Sequence, residues 1–146
     1  MIVSNGPDNA DIMFVGDYAS KQDLLNGFAL SNLSGLKQIC SDNHLNVDHV
    51  YKTLYIKDGL SYYGRAKKKA AQAIFEAEKK ISPQSYKQIL TDEIRTILPN
   101  VIVPLGDLAL NTVANVRGIE KYRGSILPLH PELQAIIPKP IKVIPT

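Results

Sequence analysis

Two Gly-Asp pairs, each placed directly after a short apolar segment, are the residues of this chain best suited to form a functional site. Gly16-Asp17 follows apolar residues 12–15, and Gly106-Asp107 follows apolar residues 101–105. Glycine lets the backbone turn sharply and approach a ligand closely, and a carboxylate can position water or stabilise a developing positive charge. Because ligands of open α/β sheets bind at the carboxyl ends of strands, the two pairs mark the first candidate site.

Each aspartate could instead cap the helix that follows it, since a side-chain oxygen at a helix start accepts backbone N–H groups. For Asp107 we favour this interpretation, with a helix over residues 108–113. For Asp17 capping and function both stay open. Gly16 and Gly106 are interpreted as turn glycines, a role that is compatible with close approach of a phosphate.

The segments around these pairs alternate between strand and helix patterns. Short apolar runs bounded by turn residues predict strands, and apolar residues at helical spacing predict helices. Residues 17–31 are polar and contain Gly27, which predicts a loop with at most one helical turn. The alternation predicts an α/β fold that is doubly wound, with a mainly parallel four-stranded sheet flanked by helices. The strands are predicted at 12–16, 50–56 and 101–105, with shorter ones at 125–129 and 141–144, and the helices at 33–40, 64–81, 83–97 and 108–113.

Size and composition restrict the class of protein. The 146 residues predict one domain, and the single Cys40 excludes an internal disulfide and any cysteine-based zinc or iron–sulfur site within the chain. We expect no metal or other cofactor. The apolar runs are short for a membrane span and the N-terminal residues do not resemble a signal peptide, so we expect a soluble cytoplasmic protein and no membrane partner. The net charge of +3 is compatible with nucleic acid but does not by itself indicate it.

Six segments of the chain occur in the same order, and at similar spacing, as the sequence motifs of one known protein family. They are residues 16–20, 27–32, 50–57, 98–106, 122–124 and 143–146. Together they resemble the uracil-DNA glycosylase superfamily, above all its family 4 branch. Within them, Val50-Tyr51-Lys52-Thr53 is similar to a Val-Tyr-Ile-Thr strand of the family. The block from Pro99 to Gly106 is similar to its Pro-x-Val-Ile-Val-x-Leu-Gly motif.

The resemblance implies a uracil-DNA glycosylase-like domain over residues 1–146, belonging to a longer protein. It implies Asp17 as the catalytic carboxylate. A domain of this kind is fused to the front of certain bacteriophage DNA polymerases, so the implied partners are DNA and other domains of a longer polypeptide or replication proteins. The implied compartment is then the cytoplasm, that of the host if the protein is viral. The implied base pocket is Gly16, Tyr18, Phe28, Leu30 and Leu54, and the implied DNA contacts are Gly106 and Arg123. Lys67 and Lys68 lie on the lysine-rich face of the predicted helix 64–81, which is either a solvated helix surface or a further DNA contact.

The chain differs from the family at the positions that recognise the base and stack on it. Leu54 stands where the family has the Asn that reads the edge of uracil, and Leu30 stands where a Phe stacks on the base. Leucine offers neither a donor nor an acceptor. Cysteines of the family's iron–sulfur cluster would fall on Asp58 and Tyr86, so that cluster is not expected. We therefore expect a DNA-binding domain of a replication or repair protein that is weak or inactive in base excision. An active DNA glycosylase and a protein-interaction module remain the alternatives.

Overall fold

In the part of the chain that the computed structural model describes, residues 2–31, 33–59 and 83–146, five strands form one sheet. Their order is β2-β1-β3-β5-β4. β1 is parallel to β2 and to β3, β3 is parallel to β5, and β4 is antiparallel to β5. The α/β class and the mainly parallel sheet are thus confirmed. The sheet has five strands and not the predicted four, and each of the five strand segments predicted along the chain overlaps one of them. The strands are β1 (Ile12–Ala19), β2 (Tyr51–Gly59), β3 (Val101–Pro104), β4 (Leu127–Pro128) and β5 (Lys142–Val143).

Helices flank this sheet. Within the described ranges they are α1 (Lys21–Asn26), α2 (Leu33–Asp42), α3 (Pro83–Ile97), α4 (Asp107–Ala114), α5 (Ile119–Tyr122) and α6 (Pro131–Gln134). A 3₁₀ turn at Val47–His49 precedes β2. None of the described helices is long and apolar enough to cross a membrane. The predicted helix over residues 64–81, which includes Lys67 and Lys68, lies outside the described residues.

The apolar residues of β1 divide between two layers of core, because successive side chains of a strand point to opposite faces. Met13 and Val15 pack in the layer formed with α3, α4 and α6. Phe14 packs in the opposite layer, where Leu36 and Cys40 of α2 are buried. Apolar packing on both faces is what a central parallel strand requires.

The N-terminal residues protect the outer edge of β2. The backbone N–H of Asn5 donates to the carbonyl of Lys52 at 3.0 Å, and the N–H of Lys52 donates back at 2.7 Å. The N–H of Ile2 donates to the carbonyl of Lys57 at 2.6 Å. Residues 2–5 thereby satisfy backbone groups that a bare edge strand would leave open.

A buried ion pair fastens α3 to β2. The ammonium group of Lys57 contacts Oε1 of Glu93, and it also donates to Oγ1 of Thr53 and to the carbonyl of Leu54, each at 2.6 Å. The other carboxylate oxygen of Glu93 accepts from the Tyr51 hydroxyl at 2.8 Å. Burial lowers the pKa of Lys57, although the Glu93 carboxylate acts in the opposite direction. The ion pair and its hydrogen bonds therefore offset the cost of burying the Lys57 ammonium group and the Glu93 carboxylate.

Candidate functional site

The two Gly-Asp pairs meet at the carboxyl edge of the sheet. β1 and β3 are adjacent and parallel, with Val15 opposite Pro104. The N–H of Leu105 continues this pairing and donates to the carbonyl of Val15 at 2.9 Å. The chain segments beyond Val15 and Pro104 consequently run side by side, so that Asp17, within β1, lies beside Gly106, which follows β3.

Asp17 caps the start of α4 from a neighbouring strand. Its Oδ1 accepts a hydrogen bond from the backbone N–H of Ala109 at 2.8 Å. Gly106 occupies the N-cap position of α4 and has no side chain to make this bond. A Cβ on Gly106 would lie 2.5 Å from Oδ1 of Asp17, well inside contact distance. The absence of a side chain at Gly106 thus lets the Asp17 carboxylate take the place of a local cap.

Asp107 does not cap the helix that it begins, so our expectation for this residue was wrong. Its Oδ1 accepts from the backbone N–H of Ile119, the first residue of α5, at 2.7 Å. The N-cap of α5 is again a glycine, Gly118, without a side-chain cap. The sequence predicted a local cap from neighbouring residues, whereas each glycine-capped helix receives its carboxylate from a residue distant along the chain.

Gly16 is not a turn residue, because β1 continues through it to Ala19. The interpretation of Gly16 as a sharp corner was therefore wrong. A Cβ at this position would lie 2.8 Å from Cδ2 of Leu54 and 3.1 Å from Cδ2 of Leu30. The structure thus brings together three of the five residues predicted for the base pocket, and the two leucines pack directly over the glycine. Leu54 is buried and Leu30 is partly buried.

A cleft of about 350 Å³ opens next to these residues. Tyr18, from the end of β1, and Leu105, which follows β3, are among its lining residues. Leu30 and Leu36 add further apolar surface. Leu30 has a φ of 52°, the left-handed region that few residues other than glycine adopt. Backbone strain of this kind is concentrated at functional sites, which adds weight to this cleft as the candidate site.

The polar side of the cleft is formed by Ser20 and Asp23, at the start of α1. Asp23 is buried, and its Oδ1 accepts from both the N–H and the hydroxyl of Ser31 at 2.8 Å. Its Oδ2 accepts from the N–H of Ser20 at 3.3 Å, and the Asp23 N–H donates to the Ser20 hydroxyl at 3.1 Å. This is a capping box. Ser20-x-x-Asp23, with Gly27 at the left-handed C-cap, was the signal for α1 in a stretch predicted as loop.

Two other predicted site residues lie elsewhere. Phe28 forms a β-bridge with Val3 and is not among the described residues that line the cleft. Arg123 is exposed and ends α5, and the N–H of the following Gly124 donates to the carbonyl of Pro145 at 2.9 Å. Because Pro145 follows β5, a strand parallel to β3, Arg123 stands at the same edge of the sheet as Asp17. Lys67 and Lys68 lie outside the described residues.

The titratable groups at this edge do not form a metal centre. Among the residues described, no group of three or more His, Cys, Asp or Glu side chains could hold a metal ion. His130, the residue before Pro131, has a local role. Its Nδ1 accepts from the N–H of Glu132 at 3.2 Å and thereby caps α6.

No family model matches the chain, and no curated protein matches it at a significant level.

Proposed function

We propose that this chain is a uracil-DNA glycosylase-like domain of a DNA replication or repair protein, which binds DNA at the carboxyl edge of its sheet and is weak or inactive in base excision. The observation that carries the proposal is the packing of Leu30 and Leu54 over Gly16, at the place predicted for the base.

The weak or absent excision is supported by what surrounds Gly16. Leu54 is buried and supplies only apolar atoms to the position where an edge-reading amide is expected. A site that must pair the polar edge of a base loses several orders of magnitude in discrimination without that pairing. The two leucines also occupy the space above the glycine, so an extruded base would have to displace buried apolar side chains.

The engagement of Asp17 supports the same conclusion. Its Oδ1 accepts from the Ala109 N–H at 2.8 Å, and the carboxylate packs against the backbone of Gly106. A carboxylate that activates water or stabilises a cationic sugar has to direct a lone pair at the reacting group. Here at least one oxygen is committed to the start of α4, which favours a structural role for this residue.

Two observations support the proposed DNA binding: the position of the candidate site and the positive charge of the chain. Arg123 is exposed at the carboxyl edge, the chain carries a net charge of +3, and the cleft opens at this same edge. Arginine binds phosphate oxygens through a planar, bidentate arrangement. A duplex or single strand lying along this edge would place its phosphates near Arg123.

The test combines binding and base release on the same DNA. We expect the wild-type chain to bind fluorescein-labelled DNA at low salt, with an affinity that falls as salt increases, and to release no uracil from uracil-containing DNA. Arg123→Ala is expected to weaken binding severalfold. Arg95→Ala is the matched control, because Arg95 lies in the last turn of α3, at the opposite edge of the sheet. Absence of DNA binding at low salt would refute the proposal. Uracil release abolished by Asp17→Ala would establish the active-glycosylase alternative.

One observation favours a second candidate function, that of a protein-interaction module. A groove of about 360 Å³ lies on the α2 face of the sheet. It is lined mainly by apolar side chains, among them Ile12, Phe14, Val101, Val103 and Ile144. Parallel strands are normally covered on both faces, so an apolar partner segment is a suitable occupant. Val103→Glu would abolish such an interaction in a pull-down with replication proteins and leave DNA binding unchanged.

A further inference from the structure

We infer that the cleft beside Tyr18 takes a single unpaired nucleobase without regard to its identity, so that the chain prefers single-stranded DNA and does not discriminate among bases. This inference rests on the proposed function and specifies the class of nucleic acid that the site accepts. It concerns the open cleft of about 350 Å³, not the position over Gly16 that Leu30 and Leu54 fill.

The walls of the cleft are suited to the faces of a base. Tyr18 contributes a partly buried aromatic ring, and Leu30, Leu36 and Leu105 contribute apolar surface. Every base presents a π-face, so stacking on an aromatic side chain stabilises all bases to a similar extent. The volume of about 350 Å³ lies at the lower end of the range for small-molecule pockets and is sufficient for one base.

Most polar groups of the cleft are poorly suited to reading a base edge, because they are engaged with one another. Three donors, the N–H of Ser20 and the N–H and hydroxyl of Ser31, already bind the carboxylate of Asp23. The Ser20 hydroxyl oxygen in turn accepts from the Asp23 N–H. Discrimination between bases requires donors and acceptors that the correct base satisfies and the wrong one leaves unpaired. Apart from the Tyr18 and Ser20 hydroxyls, which can rotate and either donate or accept, the described lining side chains expose no such group.

The geometry at the edge of the sheet also favours a single strand. Tyr18 lies near the end of β1, and Leu105 directly follows the adjacent parallel strand β3, so the cleft lies at the carboxyl ends of these two strands. A base inside a duplex would have to leave its stack before it could enter, at a cost of a few kcal/mol. A single strand does not incur this cost, and its phosphates remain free to reach Arg123.

The experiment measures fluorescence anisotropy of labelled decamers of thymidylate, deoxyadenylate and deoxycytidylate, an abasic decamer, and a mixed-sequence duplex, all at low salt. We expect the three homopolymers to agree within about threefold, and the abasic decamer and the duplex to bind about tenfold or more weakly. Tyr18→Leu should weaken homopolymer binding about tenfold, whereas Tyr18→Phe, which keeps the ring, should bind like the wild type.

Each outcome decides a different point. A preference of more than about tenfold for one homopolymer, or an abasic decamer that binds as tightly as the others, overturns base-neutral stacking. A duplex that binds more tightly than the single strands overturns the preference for unpaired DNA. In these cases DNA binding itself stands, and so does the proposed function. If no DNA binds, the proposed function fails and this inference fails with it. Circular dichroism of both Tyr18 variants confirms that they are folded before binding is compared.

Discussion

The carboxylate of Asp17 occupies the space that a side chain on Gly106 would need. A Cβ there would lie 2.5 Å from Oδ1 of Asp17, while the same oxygen accepts the Ala109 N–H at 2.8 Å. Strand β1 thereby supplies the cap of the helix that follows strand β3. The relationship makes the two Gly-Asp pairs mutually dependent, and it can be measured.

We predict that Gly106→Ala lowers the free energy of unfolding by about 1–3 kcal/mol, as overpacking does in a filled site. The cost should largely disappear in an Asp17→Ala background, because Gly106 has φ −153° and ψ 170°, an extended conformation open to alanine. Urea unfolding of the four chains of this double-mutant cycle measures the coupling. Gly35→Ala in α2 is the control, because no atom lies within 4 Å of its added Cβ. Equal costs of Gly106→Ala in both backgrounds would contradict the relationship.

Asp17→Ala by itself is expected to destabilise the fold by about 0.5–2 kcal/mol, the range found for loss of a helix cap. Asp17→Asn keeps an oxygen acceptor for the Ala109 N–H, so its cost should be smaller. The midpoint of urea unfolding distinguishes the two variants. A purely catalytic Asp17 would leave the midpoint unchanged in both, and this result would remove the capping role.

Breaking the buried pair of Lys57 and Glu93 should be far more costly than breaking a surface pair. We expect Lys57→Met to lower the free energy of unfolding by about 3–5 kcal/mol, because Glu93 would keep a buried charge without its cation. The double variant Lys57→Met/Glu93→Gln should cost less than the sum of the two single changes.

The matched control is the pair of Lys87 and Glu132, whose atoms are 3.3 Å apart and whose side chains are 34% and 72% exposed. Lys87→Met should cost no more than about 1 kcal/mol. Similar costs for Lys57→Met and Lys87→Met in chemical unfolding would show that the Lys57 pair is not buried in solution.

Tyr51 should make the protein lose stability in strong alkali. Burial, and then the hydrogen bond that it donates to Glu93, raise the pKa of Tyr51 above its ordinary value of 10.0. Above that pH the unfolded chain loses the phenolic proton and the folded chain retains it, so the free energy of unfolding falls as pH rises.

Lys57 changes the free energy of unfolding with pH in the opposite direction. Burial lowers its pKa below 10.5, so in the pH interval just below that value the unfolded chain binds more protons and stability rises with pH. Tyr51→Phe removes the tyrosine contribution alone. Its unfolding free energy should therefore decline less than that of the wild type between about pH 10 and 11. Parallel pH profiles for the two chains in denaturant titrations would contradict the assignment to Tyr51.

Local patterns in the sequence were sufficient for much of the fold. The apolar runs ahead of Gly16 and Gly106 predicted buried parallel strands, and Ser82-Pro83 predicted the start of α3 at Pro83. These features depend on neighbours within a few residues, where chain geometry alone decides which side chains share a face. The helix α1 was missed even though its capping residues are local, because its apolar periodicity is weak.

The sequence by itself determined the α/β alternation and the pairs of residues that end adjacent strands. Only the tertiary structure decided which helix each aspartate caps, because Asp17 and Ala109 are separated by 92 residues and meet through strand pairing. It also decided that Leu30 and Leu54 close over Gly16, since contacts across strands depend on register and not on spacing along the chain. Local structure follows from backbone sterics and from the periodicity of apolar residues along the chain. The site, in contrast, consists of residues that come into contact only when the chain folds.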